Sequence, residues 1–362
     1  MKLWDRLKHN YRLLTSDLSL QEIMRAMKSD ASSTYQFYSR EAEPEHRGHT
    51  RQPKFFRLVK NLFLAFIKKL TPVRRIAYLI VLFLFFTGLN QDNGEGRLLL
   101  SFILLNIILA AELADKLTAR DELDVARNIQ IGIMPKQPPD DQRFDIAFQY
   151  ESANTVGGDF YDFLTSPDRD GFIAMVGDIS GKGMEAALHM VQVHALIHGQ
   201  PYPPDLNVML LNLNWQLRNL FPPNQFLTGN FLKFKGGLSV DFYRAGHLPL
   251  YHYSIEDRTC RPVSPSGLGL GLTGQDQLRS SLEKMEIQGK SGDILCLCTD
   301  GAIETENDQA QEFGERRFRD SIKQHHRESA NEIALALQSE IARFRGGVQK
   351  KDDLTLLIIK IK

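Results

Sequence analysis

Phe172-Ile173-Ala174-Met175-Val176-Gly177-Asp178-Ile179-Ser180-Gly181-Lys182-Gly183-Met184-Glu185-Ala186-Ala187-Leu188 is the stretch on which the reading of this chain turns. An apolar, β-branched run stops at a Gly-Asp pair, a Gly-rich turn follows, and a helix-forming segment begins. Two other aspartates stand in the same relation to an apolar run. Ile294-Leu295-Cys296-Leu297-Cys298 leads into Thr299-Asp300-Gly301, and Asp352-Asp353 opens onto Leu354-Thr355-Leu356-Leu357-Ile358-Ile359. A fourth, Asp159, follows Gly157-Gly158 in the segment that ends at Asp162. Carboxylates held at strand ends point from a rigid sheet into a shared space, and only a cation makes such crowding tolerable. An all-oxygen donor set selects hard divalent ions, Mg²⁺ or Mn²⁺. Clusters of this kind usually bind two ions that activate water for attack on a phosphoryl group.

Strands are expected at Phe144 to Tyr150, Gly171 to Val176, Leu238 to Arg244, Gly292 to Cys298 and Leu354 to Ile361. Helices are expected at Glu185 to Ile197, Pro204 to Leu220 and Ala330 to Phe344. Periodicity alone gives an α+β fold.

The aspartate segments resemble the metal-dependent protein phosphatases of the PPM superfamily, in the bacterial branch typified by sporulation stage II E and the sigma-factor-regulator phosphatases. The resemblance runs from about Leu123 to Lys362 and also includes Ala126-Arg127-Asn128-Ile129-Gln130, Met134-Pro135, Arg244-Ala245-Gly246-His247-Leu248-Pro249-Leu250 and Phe313-Gly314-Glu315-Arg316-Arg317-Phe318. It implies an αββα sandwich over residues 138–362 and two Mn²⁺ or Mg²⁺ ions. Asp178 would bridge both ions, with the backbone carbonyl of Ile179 as a further ligand. Asp300 and Asp352 would hold one ion, and Asp159 would act through metal or metal-bound water. Gly158, Asp162, Gly181, Gly301 and Asp353 would lie immediately behind these ligands. The nucleophile would be water on the metals, with no side chain attacking. Where the eukaryotic branch has a histidine two residues after the bridging aspartate, this chain has Ser180, which leaves the general acid unassigned.

Two other motifs lead nowhere. Gly269 to Gly274 fits the spacing of a dinucleotide-binding loop but shows neither a preceding strand nor a following apolar helix. Gly177 to Lys182 is one residue short of a phosphate-binding P-loop, with Gly183 where a hydroxyl residue would stand. His247 is read as a hydrogen-bonded turn residue.

Charge is distributed unevenly. Residues 1–75 hold sixteen Lys/Arg against seven Asp/Glu, a balance of +9, in a chain whose net charge is zero. That argues against nucleic acid as a partner of the catalytic half and for an anionic surface, such as a membrane, facing the N-terminal half. The three cysteines, Cys260, Cys296 and Cys298, suit a reducing compartment, since Cys296 and Cys298 point the same way from one strand.

Residues 1–72 read as a basic, partly helical region, with one helix at Leu18 to Met27 and a basic interfacial stripe from Phe55 to Leu70. Residues 73–112 form an apolar helical hairpin. Ile76 to Leu89 and Leu98 to Ala111 are apolar on every face and are joined by the polar loop Asn90 to Gly96. Either they span a membrane, with Lys68, Lys69, Arg74, Arg75, Lys116 and Arg120 holding both ends in the cytoplasm, or they pack as a buried hairpin or dimer interface. No apolar core of a cleavable signal sequence occurs in residues 1–20. Residues 113–137 contain a linker helix that stops at Met134-Pro135. In related phosphatases this helix couples a regulatory module to the catalytic domain, often through dimerisation.

The expected function is that of a protein serine/threonine phosphatase acting at the cytoplasmic membrane on a phosphorylated partner-switching regulator of the anti-anti-sigma type. Two alternatives share the fold, a non-catalytic docking module and a two-metal phosphatase or phosphodiesterase for small molecules.

Overall fold

A computed structural model describes residues 54–90, 94–168 and 171–362. The helix expected at Leu18 to Met27, with the rest of residues 1–53, lies outside the described residues. The chain divides into two compact units, residues 1–117 and 118–362.

In the first unit, α1 (Lys54–Lys69) is followed by α2 (Pro72–Leu89) and by α3 (Glu95–Ile133) as far as Leu117, the rest of α3 belonging to the second unit. Pro72 opens α2 at a position where its missing N–H costs nothing. Gly88 lets α2 and α3 approach at the turn, because a Cβ there would come within 3.0 Å of Leu98 Cγ. At the open end of the hairpin, Arg74 Nη1 lies 2.8 Å from Glu112 Oε2 and 2.7 Å from Asp115 Oδ2. Ile76, Phe83, Phe102 and Leu109 are each 62 to 68 % exposed. Both helices are long and apolar enough to cross a membrane. The 18 residues of α2 rise about 27 Å at 1.5 Å each, against a hydrocarbon core of about 30 Å.

The apolar arm and the charged linker form one unbroken helix of 39 residues. No Gly or Pro interrupts it between Arg97 and Ile131, so helix propensity carries it across the change in composition. It ends at Ile133, two residues before Pro135.

In the second unit the strands are β1 (Phe144–Glu151), β2 (Phe160–Thr165), β3 (Phe172–Ile179), β4 (Leu227–Phe234), β5 (Ser239–Ala245), β6 (Leu250–Ser254), β7 (Thr259–Val263), β8 (Met285–Gln288), β9 (Ile294–Cys298) and β10 (Leu354–Ile361). They form two five-stranded sheets, in the orders β1-β10-β9-β6-β7 and β2-β3-β4-β5-β8. Neighbouring strands run antiparallel throughout. Among the helices, α4 (Met184–His198), α5 (Leu206–Leu220) and α6 (Gln275–Ser281) lie on the second sheet, while α7 (Asp300–Ile303), α8 (Gly314–Gln324) and α9 (Ala330–Arg345) lie on the first.

Strand β10 sets the layering. Leu357, Ile359 and Ile361 enter the core between the sheets, whereas Leu354, Leu356 and Ile358 join Phe318, Leu337 and Ile341 beneath α8 and α9. A strand covered on both sides is apolar at most of its positions, and this explains the run Leu356 to Ile359 in the sequence. The result is the αββα sandwich implied by the resemblance. α9 starts with a capping box, Ser329 and Glu332 each satisfying the other's backbone N–H.

The five expected strands and three expected helices of this unit are present. Missing from the sequence reading are β2, β4, β6, β7 and β8, together with α6 to α8. β2 is an edge strand and β4 a central one, and each carries polar residues that mask its period. In β4, Asn230 donates to Leu248 O at 2.9 Å, and Lys233 donates to the carbonyls of Pro203 and Pro204 at 2.7 Å. Such polar groups are tolerated in a core because their donors are satisfied.

Leu357 is completely buried between the sheets. Leu357→Ala is expected to lower stability by about 2–5 kcal/mol in denaturant unfolding of the full chain. A loss under about 1 kcal/mol would contradict the packing described.

Candidate metal centre and active site

The carboxylates arrive at one end of the sandwich from both sheets. Asp159 immediately precedes β2, and Asp178 is the penultimate residue of β3. The register of these strands pairs Phe160 with Gly177, which sets Asp159 beside Asp178. In the other sheet Asp300 follows β9, while Asp352 and Asp353 precede its neighbour β10. The two sheets meet at Asp159, only 2 % exposed, whose Oδ2 accepts hydrogen bonds from Thr299 Oγ1 (2.5 Å) and Thr355 Oγ1 (2.8 Å). A cleft of about 350 Å³ opens above, lined by Asp178, Ser180, Thr228, His247, Asp300 and Glu304 among others.

Crowding is visible in the acidities. Burial, then the charges of Asp300, Asp352 and Asp353, push the Asp178 carboxyl up to about 7. Burial and the charge of Asp178 hold Asp159 far above the usual carboxylate range. Asp300 is raised as well, by burial first and by Asp352 second. Lys182 gives partial compensation, donating from Nζ to Asp352 Oδ2 at 2.5 Å and to Lys351 O at 3.2 Å.

The residues fit hard divalent cations. Their side-chain donors are carboxylate oxygens, and Gly158 leaves open the space beside them. A Cβ on Gly158 would stand 2.8 Å from Ile179 O and 3.0 Å from Asp178 Oδ1, blocking two of the expected ligand atoms at once. Asp159, Asp178, Asp300, Asp352 and the Ile179 carbonyl could together hold such ions.

Asp353 builds the wall behind. Its Oδ1 accepts from Ala153 N (2.8 Å) and Ser152 Oγ (3.1 Å), and its Oδ2 accepts from Gly158 N (3.1 Å). No side chain fits on either flank, since a Cβ on Gly157 would fall 1.7 Å from Asp353 Oδ2 and one on Gly301 1.8 Å from Asp353 O. Gln130, near the end of α3, grips Gly157 twice, donating from Nε2 to its carbonyl at 2.6 Å and accepting from its N–H at 3.2 Å. Gly181 and Gly183, at φ +101 and +74, turn the chain from β3 into α4.

Asp162 stands apart from the other expected site residues. Its Oδ2 lies 2.8 Å from both His194 Nδ1 and His198 Nε2 on α4, and its Oδ1 accepts from Phe163 N at 2.7 Å. Burial opposes ionisation of this carboxyl, yet hydrogen bonds from the two histidines outweigh it and hold the group below the usual range. His247 is hydrogen-bonded, as expected, with Nδ1 3.0 Å from Thr228 Oγ1, but it also lines the cleft. Burial pulls it down to about 4, so it is neutral at pH 7. Sequence reading missed Thr299, Thr355, Gln130 and Lys182. The two threonines stand next to or close to flagged aspartates, a signal visible only once the strands are paired. The Gly269–Gly274 segment bridges to β4 through Leu270 and Leu227, and the helix after it, α6, has seven residues.

A family model described as Stage II sporulation protein E (SpoIIE) matches residues 168–362. Phosphoserine phosphatase RsbU of Bacillus subtilis is 25% identical over 249 residues, which is 67% of this chain and 71% of that protein. Protein IcfG of Synechocystis sp. is 24% identical over 308 residues, 75% of this chain and 47% of that protein, so the match spans about half of IcfG. Among solved structures, the SiaA-PP2C domain of Pseudomonas aeruginosa superposes with a TM-score of 0.59 at 22% identity, covering 69% of this chain and 99% of that domain. The SpoIIE phosphatase domain with a fragment of its regulatory domain, from Bacillus subtilis, gives 0.52 at 21% identity, covering 61% and 62%. These superpositions establish the fold of the second unit.

The weakened acidity of Asp178 has a sign that can be measured. The folded carboxyl holds its proton up to about 7, the unfolded one only to about 3.9, so ionising it costs stability as pH climbs through that window. In chelator, Asp178→Asn is expected to melt above the parent at pH 8, with the gap closing towards pH 4. Equal melting temperatures at pH 8 would show that Asp178 is not crowded.

Proposed function

The chain belongs to the stage II sporulation protein E (SpoIIE) family of PPM-type phosphatases, and on that premise we propose that it is a Mn²⁺- or Mg²⁺-dependent protein serine/threonine phosphatase acting on a phosphorylated regulator of the anti-anti-sigma, partner-switching type. The observation that carries this reading is Asp178, fixed at the end of β3 and driven up to about 7 by burial and by the charges of Asp300, Asp352 and Asp353. A site so acidic, open to a cleft, is built for cations and for the phosphate they attract.

Asp178, Asp300 and Asp352, with Asp159 and the Ile179 carbonyl, would hold two divalent ions. When bound, the ions supply water activation and charge neutralisation at the transferring phosphoryl group. The chain's own residues do the rest. Thr299 and Thr355 hold Asp159 in one orientation, and Asp353 ties the 152–158 loop to the start of β10. Lys182 places a positive charge at the rim, where an approaching phosphate meets it first. Ser180 Oγ accepts from Phe226 N at 2.9 Å, so the position given to histidine in the eukaryotic branch serves a turn here, and solvent is left to protonate the departing seryl oxygen. Cys296 and Cys298 offer no nucleophile, because burial pushes both thiols far above their ordinary range.

For the first unit we propose a cytoplasmic-membrane anchor, with the N-terminus and the phosphatase domain both in the cytoplasm and dimerisation through α3. The support is the exposed apolar surface of α2 and of the first half of α3, flanked by Arg74, Arg75, Lys116 and Arg120.

Asp300→Ala is expected to lose more than about tenfold in Mn²⁺-dependent turnover, a barrier rise above about 1.4 kcal/mol, with circular dichroism unchanged. Chelator should abolish turnover and Mn²⁺ or Mg²⁺ restore it. The substrate class is tested by offering a phosphorylated regulator and an aryl phosphate side by side. Preference for the regulator supports the proposal, turnover of small phosphates or phosphodiesters alone points to the small-molecule reading, and no metal-dependent turnover points to a docking module. For the anchor, extraction by detergent but not by high salt or carbonate is expected. A monodisperse dimer in the detergent-free supernatant would replace it with a buried hairpin.

A further inference from the structure

Away from the carboxylate cleft, one face of α4 meets β2 through three groups with a different chemistry. His194 and His198 are four residues apart, so they share one face of the helix, and their ring centroids lie 4.2 Å apart. Nδ1 of His194 and Nε2 of His198 each sit 2.8 Å from Asp162 Oδ2, and the ligand atoms of all three lie within 4.8 Å of one another. We propose that Asp162, His194 and His198 form a second metal site, built for a transition ion of the Zn²⁺ class and separate from the hard-ion centre.

The donor set decides the class of ion. Two imidazole nitrogens and one carboxylate oxygen suit Zn²⁺ and its transition-metal neighbours, whereas Mg²⁺ and Mn²⁺ favour oxygen. The spacing is close to what is needed. Zinc bonds of about 2.0–2.2 Å at tetrahedral angles place neighbouring ligand atoms roughly 3.3 Å apart. The two 2.8 Å separations from Asp162 need to open by about half an ångström, while the two imidazole nitrogens, within 4.8 Å of each other, settle to the same spacing by side-chain adjustment. The carboxylate is already aimed. Asp162 is 1 % exposed, and Phe163 N–H occupies its Oδ1 at 2.7 Å, leaving Oδ2 for the helix. The histidine side chains are 22 % and 39 % exposed, so an ion can enter from solvent and keep water as its remaining ligand.

Such an ion would replace protons now shared between the histidines and Asp162, and would pin α4 to β2. Both elements lead straight to the cleft. β2 starts one residue after Asp159, and α4 starts one residue after Gly183, in the turn that follows Asp178. The competing possibility is a histidine–carboxylate hydrogen-bond network that never takes metal.

The test uses the full chain in detergent, stripped with chelator and then titrated with Zn²⁺ in millimolar Mg²⁺, with a chromophoric chelator as competitor. The parent should bind one equivalent that is at least about tenfold weaker in His198→Gln and in His194→Ala, given that loss of even an outer partner costs 10–100-fold. His198→Gln keeps a donor towards Asp162, which guards against a simple folding defect. Asp300→Ala should bind Zn²⁺ like the parent, and Co²⁺ should give a visible absorption band in the parent that His198→Gln lacks. Unchanged Zn²⁺ affinity in both histidine variants, or loss of binding in Asp300→Ala alone, would overturn the proposal.

Discussion

Mutual repulsion among Asp178, Asp300, Asp352 and Asp353 is the constraint around which the catalytic unit is organised. Carboxylates this close would swing apart on flexible loops. Here each stands within two residues of a central strand, and the backbone ladder stiffens its base. The sheet interiors answer the same demand. Strands β3, β9 and β10 are almost wholly buried, so burial of their apolar residues offsets the electrostatic cost carried at their ends. Polar groups inside the wall are not spare: the threonine hydroxyls and the two glycines beside Asp353 fit one arrangement of carboxylates and no other.

The apolar hairpin obeys the opposite logic. In α2 and the first part of α3, side chains of Phe, Leu and Ile face outward, where in the second unit the same residue types are sealed between layers. A surface of that extent on a lone chain calls for lipid or protein around it. The basic excess of residues 1–75 adds an electrostatic preference for an anionic boundary.

Legibility in the sequence followed the range of the forces involved. The aspartate ends of β3, β9 and β10 could be read because the signal is local, an apolar run halted by a turn. β2 could not, since Asp162 breaks its pattern and the histidines that make a buried carboxylate acceptable lie 32 and 36 residues further on. The same holds for the support of Asp159, whose threonine partners are 140 and 196 residues away. The change in composition near residue 112 does not interrupt α3, because helix formation responds to propensity and not to polarity. The four-layer arrangement itself came from the resemblance and not from periodicity, which sees each strand alone and never its partners.

All three cysteines are free and buried, and two of them lie in β9, the strand that ends two residues before Asp300. Burial pushes Cys260 up to about 12 and holds the other two well above the ordinary thiol range. Oxidants attack thiolates that solvent can reach, and these sulfurs satisfy neither condition. Peroxide therefore has to open the sheet before it can find sulfur. A strand that leads to a site carboxylate is thereby shielded from modification at sulfur.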